Sequence, residues 1–535
     1  MPGPVVSSRA GNISMGVWSF YFLAKLALFW KELIGFHPWE NLAFASFILL
    51  PVKSPLAGKI KNTATVIAAV ALLYHDSWLP PISRAFSQAS LLSSFSLNYL
   101  VELLGRFVSL PVVAMLVIAW VAYWYISRWV RMGSIVMVTM VVMAISQNPE
   151  PHPVAQPAQS AQAGEPGVDS AGGEGKPDMD KVMQTFFARE MARSVTFPLP
   201  AADAAPFDVI FIHVCSLSWD DIRAMGLEHH PLWHRFDFLL TRFNSAASYS
   251  GPAAIRILRS TCGQSQHAKL YNPTSEQCYL MSSLKHSGFE PSLAMNHDGH
   301  FDDFLKTVQT QGGMNISPLS LNGVAVAQRA FDDAPIYDDF SVLTRWLDTR
   351  QKSNNSRVAL FYNTISLHDG NHVVGPNSNL NSIETYKIRL SKLLDDTEKF
   401  MQSLEKSGRR AVVVMIPEHG AAVRGDKMQI AGLREIPSPA ITLVPVGIKV
   451  IGGNFQREGD TLSISEPTSY LAVSHIIARM LEKSPFAKSS FAPSDYTADL
   501  PTTQFVSQND EVSVAGYNHR YYLRQDETGW SEYSN

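Results

Sequence analysis

Ala411–Gly420 reads AVVVMIPEHG. Five of the six residues before Pro417 are large and apolar, and the chain then presents a carboxylate, an imidazole and a glycine. A continuous apolar run of this length, rich in β-branched residues, is the pattern of a strand covered on both faces, as in a parallel sheet. In such sheets ligands bind beyond the carboxyl ends of the strands. Glu418 and His419 would therefore sit where chemistry is done, although an ordinary polar loop presents the same pair.

The neighbouring sequence supports the sheet. Short apolar runs predict strands at Asp208–Val214, Pro291–Met295, Arg357–Tyr362 and Ile441–Val446 beside Ala411–Ile416. Helical periodicity predicts Ser382–Lys406, with Ile383, Tyr386, Leu390, Leu393, Leu394 and Met401 on one face, and Ser469–Leu481. Strands alternating with helices imply a mainly parallel α/β sheet covered on both sides. This half begins near Asp178 and is long enough for a substantial core.

Upstream the chain is of another kind. The overall composition is 46% hydrophobic and 17% charged, with a mean hydropathy of zero that averages two unlike halves. Val108–Ser127 (VSLPVVAMLVIAWVAYWYIS) carries no charge and is long enough to cross a hydrocarbon core of ~30 Å. Val17–Phe36 is weakened as a span by Lys25, Lys31 and Glu32, while Leu42–Val52, Thr63–Tyr74 and Ile135–Ile145 are short. The expectation is an N-terminal multi-span α-helical membrane domain over 1–147 with about five helices, four plus a re-entrant piece being the other count. Lys53, Lys59 and Lys61 lie between the second and third runs, and Arg128 and Arg131 between the fourth and fifth. Positive loops face the cytoplasm, so the N-terminus is expected inside and everything after the fifth span outside. A Pro/Ala/Gly-rich stretch over 148–180 reads as a disordered tether, leaving 181–535 as the catalytic α/β domain. A net charge of -3 gives no electrostatic case for nucleic acid.

Other strand ends add candidates. The strand FDVIFIHV runs into Cys215, which is either a small buried hydrophobe or a thiolate ligand. The third run leads to His368, Asp369 and His372. In SYSGPAAIRIL, Ser250 precedes Gly251 and Pro252 at a helix start. It could be a plain N-cap, or it could hold its oxygen where free N–H groups bind a phosphate. Cys215, Ser250, Glu418 and His419 together make a donor set of S, O, O and N that zinc accepts, the thiolate disfavouring magnesium and calcium. Zinc there would lower the serine's pKa and make an alkoxide nucleophile. The three cysteines are too few for a disulfide scaffold; Cys262 and Cys278 could close one bond in an oxidising compartment, with Cys215 left over. Trp219, Trp233 and Trp346 read as core or surface aromatics, not as a glucan-binding row.

With its anchor, tether and outward domain, the chain resembles the lipid-dependent phosphoethanolamine transferases of the alkaline phosphatase superfamily. FIHVCSLSWDD, SYSGPAAIRILRSTCGQ, LHDGNH and IPEHGAA are similar to the bacterial cellulose phosphoethanolamine transferases. General superfamily members end the first strand in an acid, often use threonine as nucleophile and carry a late Asp-His pair. Cys215, Ser250 and Glu418-His419 stand there instead, which fits the cellulose-modifying branch over the lipid A-modifying one. The resemblance implies an alkaline phosphatase-like α/β sandwich in the periplasm of an inner-membrane protein. Phosphatidylethanolamine would be the donor and the glucose 6-hydroxyl of nascent cellulose the acceptor, with cellulose synthase subunits as partners of the membrane domain. It further implies that Ser250 forms a covalent phosphoethanolamine adduct, that Cys215, Glu418 and His419 hold zinc, and that His368 moves the proton. Tyr249 would line the pocket, Arg434 would hold the phosphate, and Cys262 would be bonded to Cys278. The competing activities are a hydrolase built on the same machinery, a glycerophosphate transferase, which Cys215 speaks against, and a non-enzymatic scaffold, which an intact site speaks against.

Overall fold

The computed structural model describes residues 15–31, 34–52, 54–77, 95–107, 110–146 and 177–533, the last with short gaps at 202–203, 427, 454, 511 and 526–528. Most of the expected tether lies outside the described residues, as do parts of the first and fourth apolar runs. The chain divides into two compact units, Met1–Phe86 with Leu104–Pro177, and Ser87–Leu103 with Asp178–Asn535.

The first unit contains the helices Trp18–Trp30, Pro38–Leu49, Pro55–Asp76 and Met132–Ser146, together with Leu110–Ile126. Phe22, Leu26, Phe44, Ala45, Val136 and Met140 form its buried centre. Lys25, which interrupts the first apolar run, is buried and ion-paired with Asp76 at 2.5 Å, and Asn41 bridges the two. Among the described residues only Pro55–Asp76 is a helix long and apolar enough to cross a membrane. At 1.5 Å per residue its 22 residues span about 33 Å, whereas a 13-residue helix such as Trp18–Trp30 spans about 20 Å.

The second unit is built on a seven-stranded sheet of β1 (Asp208–Cys215), β2 (Phe238–Asn244), β3 (Glu290–Met295), β4 (Val358–Thr364), β5 (Ala411–His419), β6 (Leu443–Ile451) and β7 (Leu462–Ile464), in the order β7-β2-β6-β5-β1-β4-β3. β1 pairs in parallel with β4 and β5, β3 with β4, and β7 with β2. β6 runs antiparallel to both its neighbours. The expected strand Ile441–Val446 forms instead as Leu443–Ile451, because Pro439 starts a short helix, Pro439–Thr442, ahead of it.

Both faces are covered, as the apolar run of β5 requires. Val412, Val414 and Ile416 point to one core, shared with Ile257, Leu284, Val308 and Ile476 from four helices. Ala411, Val413 and Met415 point to the other, shared with Leu343, Trp346, Leu390 and Phe400. Ser382–Lys406 forms as the periodicity predicts, started by an Asn381–Glu384 capping box. Trp233 and Trp346 are core residues, and Trp219 packs against Trp233. A four-stranded antiparallel sheet over Val506–Tyr533 completes the chain.

Candidate active site and metal centre

The carboxyl ends of β1 and β5 lie side by side, and the pairing slips there: Val214 faces Pro417, but Cys215 faces His419. Glu418 is the extra residue of a β-bulge. Consecutive strand residues ordinarily point to opposite faces; the bulge lets both Glu418 and His419 turn toward Cys215. The thiol, carboxylate and imidazole donors lie within 4.8 Å of one another and are fully buried. Sγ of Cys215 is 3.9 Å from Nε2 of His419, which is 3.7 Å from Oε2 of Glu418.

Ser250 completes the group. It is the first residue of the Ser250–Leu258 helix, whose N-cap is Tyr249, so its hydroxyl is not a cap. That hydroxyl lies 3.3 Å from Cys215 Sγ.

The buried groups are oriented from behind. The Gly299 N–H donates to His297 Nδ1 at 3.1 Å, which leaves the proton of a neutral His297 on Nε2. Nε2–H then donates to Asn363 Oδ1 at 2.8 Å, which turns the Asn363 amide so that Nδ2 donates to Glu418 Oε1 at 2.6 Å. His213 Nδ1 reaches the same oxygen at 3.2 Å. The other oxygen, Oε2, is buried with no hydrogen-bond partner and faces the Cys215–His419 pair. His419 Nδ1 donates to the Gly420 carbonyl at 2.9 Å, leaving the Nε2 lone pair on the open side.

The charges divide clearly. Burial, reinforced by Glu418, pushes the Cys215 thiol up to about 12. Burial opposes ionisation of Glu418 as well, but His213 and the hydrogen bonds outweigh it and hold the carboxyl at about 2. Burial and Arg434 bring His419 down to about 3, so the ring is neutral. An anionic oxygen without a partner, a neutral imidazole lone pair and a thiol within reach of one point fit a small borderline-soft cation. Zinc meets that description.

The proton-handling candidates surround this group. His368 is half-buried, its Nδ1 donates to the Asp369 carbonyl at 2.7 Å, and burial with Arg434 lowers it to about 4, leaving Nε2 as a free acceptor. Asp369 is held by Ser382 at 2.6 Å and by the Tyr99 hydroxyl at 3.2 Å. Arg434 is buried, donates to Ser216 Oγ at 3.1 Å and lies over the Tyr249 ring at 5.6 Å. Tyr249 gives its hydroxyl to Glu435 at 2.6 Å. His372 is not in the group; it starts a two-residue strand, His372–Val373. The Cys262–Cys278 disulfide is formed, tying the segment after the Ser250 helix to Leu280–His286.

Sequence reading missed His213, Asn363, His297 and Asp221. The first two carry a usable signal, each being a polar residue inside an otherwise apolar strand. Asp221 closes a capping box with Ser218 and accepts the Ala421 N–H at 2.8 Å, which fastens the loop after His419.

Residues 18–145 match the family model described as cellulose biosynthesis protein BcsG N-terminal domain, and residues 167–530 the corresponding C-terminal domain. The cellulose biosynthesis protein BcsG of Salmonella typhimurium is 39% identical over 556 residues, covering 100% of this chain and 98% of that protein. Its counterpart in Escherichia coli is 39% identical over 539 residues, covering 96% of each. Among solved structures, an alkaline phosphatase superfamily protein from Vibrio parahaemolyticus aligns at a TM-score of 0.47 and 11% identity, over 67% of this chain and 88% of that one.

Proposed function

This chain belongs to the cellulose biosynthesis protein BcsG family, and from that premise we propose that it is a zinc-dependent transferase that moves phosphoethanolamine from phosphatidylethanolamine to the glucose 6-hydroxyl of nascent cellulose. The observation that carries the reading is the meeting of Cys215, Ser250, Glu418 and His419 around an unpartnered Glu418 oxygen. Cys215, Glu418, His419 and the Ser250 oxygen would hold the zinc, whose charge favours the ionised serine and thiol.

The chain's own groups supply the remaining chemistry. Ser250 Oγ forms a bond to phosphorus as the bond from phosphorus to the diacylglycerol oxygen breaks. The serine proton passes to His368 Nε2 and on to that oxygen, releasing diacylglycerol. The glucose 6-hydroxyl then attacks the adduct and gives its proton to His368; the Oγ–P bond breaks and the proton returns to Ser250. A neutral His368 suits both halves. Arg434 binds the phosphoryl oxygens, and Tyr249, fixed by Glu435, forms the adjoining wall.

On this reading the domain is of alkaline phosphatase-like type. Residues 1–147 are a multi-span inner-membrane anchor with a cytoplasmic N-terminus that docks on cellulose synthase subunits. Residues 148–180 are the tether and 181–535 the periplasmic domain. The test is to incubate the full chain with phosphatidylethanolamine, without acceptor, and weigh the peptide containing Ser250. Wild type should carry phosphoethanolamine and Ser250→Ala should not. Diacylglycerol release from wild type with no mass on that peptide would sink the covalent route.

A further inference from the structure

Behind the Ser250 helix lies a cavity of about 30 Å³ that the proposed reaction does not use. Its wall includes Arg256, Arg259, Gln264, Tyr470 and Thr503. Arg256, on the Ser250 helix, is 4% exposed. Its Nη1 donates to the Ser265 carbonyl at 3.0 Å, but Nε and Nη2 meet no protein acceptor. The hydroxyls of Tyr470 and Thr503 are also buried without a partner.

Among the described residues, neither Arg256 nor Arg259 forms an ion pair, and Arg259 donates instead to the carbonyls of Gln311 and Asn272. Glu190, the acid in the wall, is paired with Arg193 at 2.6 Å and accepts the Gln264 N–H at 3.2 Å. The first turn of the Tyr470–Glu482 helix lines the same space with no side-chain cap, because Ser469 Oγ donates to the Asn244 carbonyl. The cavity thus gathers two unpartnered guanidinium nitrogens, two hydroxyls and the positive end of a 13-residue helix, against one unpartnered amide oxygen, Gln264 Oε1.

We propose that this cavity binds one small monovalent anion of the halide class, chloride in practice, held by Arg256 Nε and Nη2 and the Tyr470 hydroxyl at the start of the Tyr470–Glu482 helix. A buried cation without a counter-charge is costly, and a neutral water would leave it so. With about 30 Å³ open to a body of water size, the cavity has room for a single monatomic ion. The ion would be a structural counter-charge that fixes the nucleophile's helix from its rear.

The test uses the full chain in detergent, purified in gluconate and melted at rising chloride with ionic strength held constant. The wild-type melting temperature should rise and saturate; Tyr470→Phe should need more chloride for the same rise, and Arg256→Met should lose it. Crystals grown in bromide should show an anomalous peak beside Arg256. Should Arg256→Met fail to fold, Tyr470→Phe and the bromide peak still decide. A melting temperature indifferent to chloride, or a cavity without bromide, overturns the proposal and leaves water as the occupant.

Discussion

Asn363→Leu tests whether Glu418 is held for its task or merely present. The substitution keeps the volume but removes the amide that donates to Glu418 Oε1 at 2.6 Å and accepts from His297 at 2.8 Å. A hydrogen bond to a charged group contributes about 1.5–3 kcal/mol. At about 1.4 kcal/mol per tenfold, its loss predicts zinc binding weaker by about 10- to 100-fold, the usual range for partners of metal ligands. The upper end is an upper bound, because His213 keeps its own contact with the same oxygen at 3.2 Å. The variant also leaves the His297 N–H buried without an acceptor, which costs about 1–3 kcal/mol of stability. Zinc affinity is read by competition with a chromogenic chelator, and stability by melting in excess chelator. Asn363→Asp should lose more, since it sets a second carboxylate against Glu418. A folded Asn363→Leu protein that binds zinc within about twofold of wild type would refute the reasoning.

Three further outcomes follow from the geometry. A methyl group on Gly420 would lie 2.6 Å from Ser218 Oγ and 2.8 Å from Asp221 Oδ2, both locked in the capping box, so Gly420→Ala should cost about 1–3 kcal/mol by overpacking, seen as a lower melting temperature. For His368, burial and Arg434 hold the folded pKa at about 4, below the ordinary value of 6.5. Its neutral form therefore stabilises the fold fully above pH 6.5, and that contribution is lost as pH falls toward 4. The acid limb of adduct formation should lie near pH 4 and move up in Arg434→Gln; a wild-type limb at 6.5 would contradict this. Finally, the double substitution Glu418→His with His419→Glu keeps the donor types but misplaces them against Asn363 and the Gly420 carbonyl, so zinc affinity should collapse as fully as in Glu418→Ala, measured by the same competition.

The parts legible in the sequence share one property: they are set by local pattern. The apolar run before Pro417, the strand into Cys215 and the periodic Ser382–Lys406 helix each carry their own signal, and each forms where expected. The direction of β6 does not show in its residues, since a doubly covered strand reads the same whichever way it runs. β2 carries a weaker signal because it is only partly buried, and Val506–Asn509 because three of its four residues, Ser507, Gln508 and Asn509, are polar although buried. The donor types of the site were legible, but the supporting shell was not: His297 and Asn363 are 66 residues apart and meet only because β3 and β4 are neighbours.

The same contrast explains the residues after Pro417. Strand geometry alone forbids adjacent residues from sharing a face, so Glu418 and His419 could not both meet Cys215 in a regular ladder. The single slip between Val214 and Cys215 removes the conflict, and it occurs where β6 no longer pairs with β5, whose last partner there is Met415. Free of one neighbour, the strand can take up the extra residue, and Pro417, which has no N–H to give, loses no ladder bond on that side. Gly420 then turns under Ser218 and donates its N–H to Ile441 at 2.7 Å, which fixes the end of the bulge. The order apolar run, proline, acid, histidine, glycine is thus one device: a strand that stops pairing, bulges, and presents two donors to the cysteine beside it.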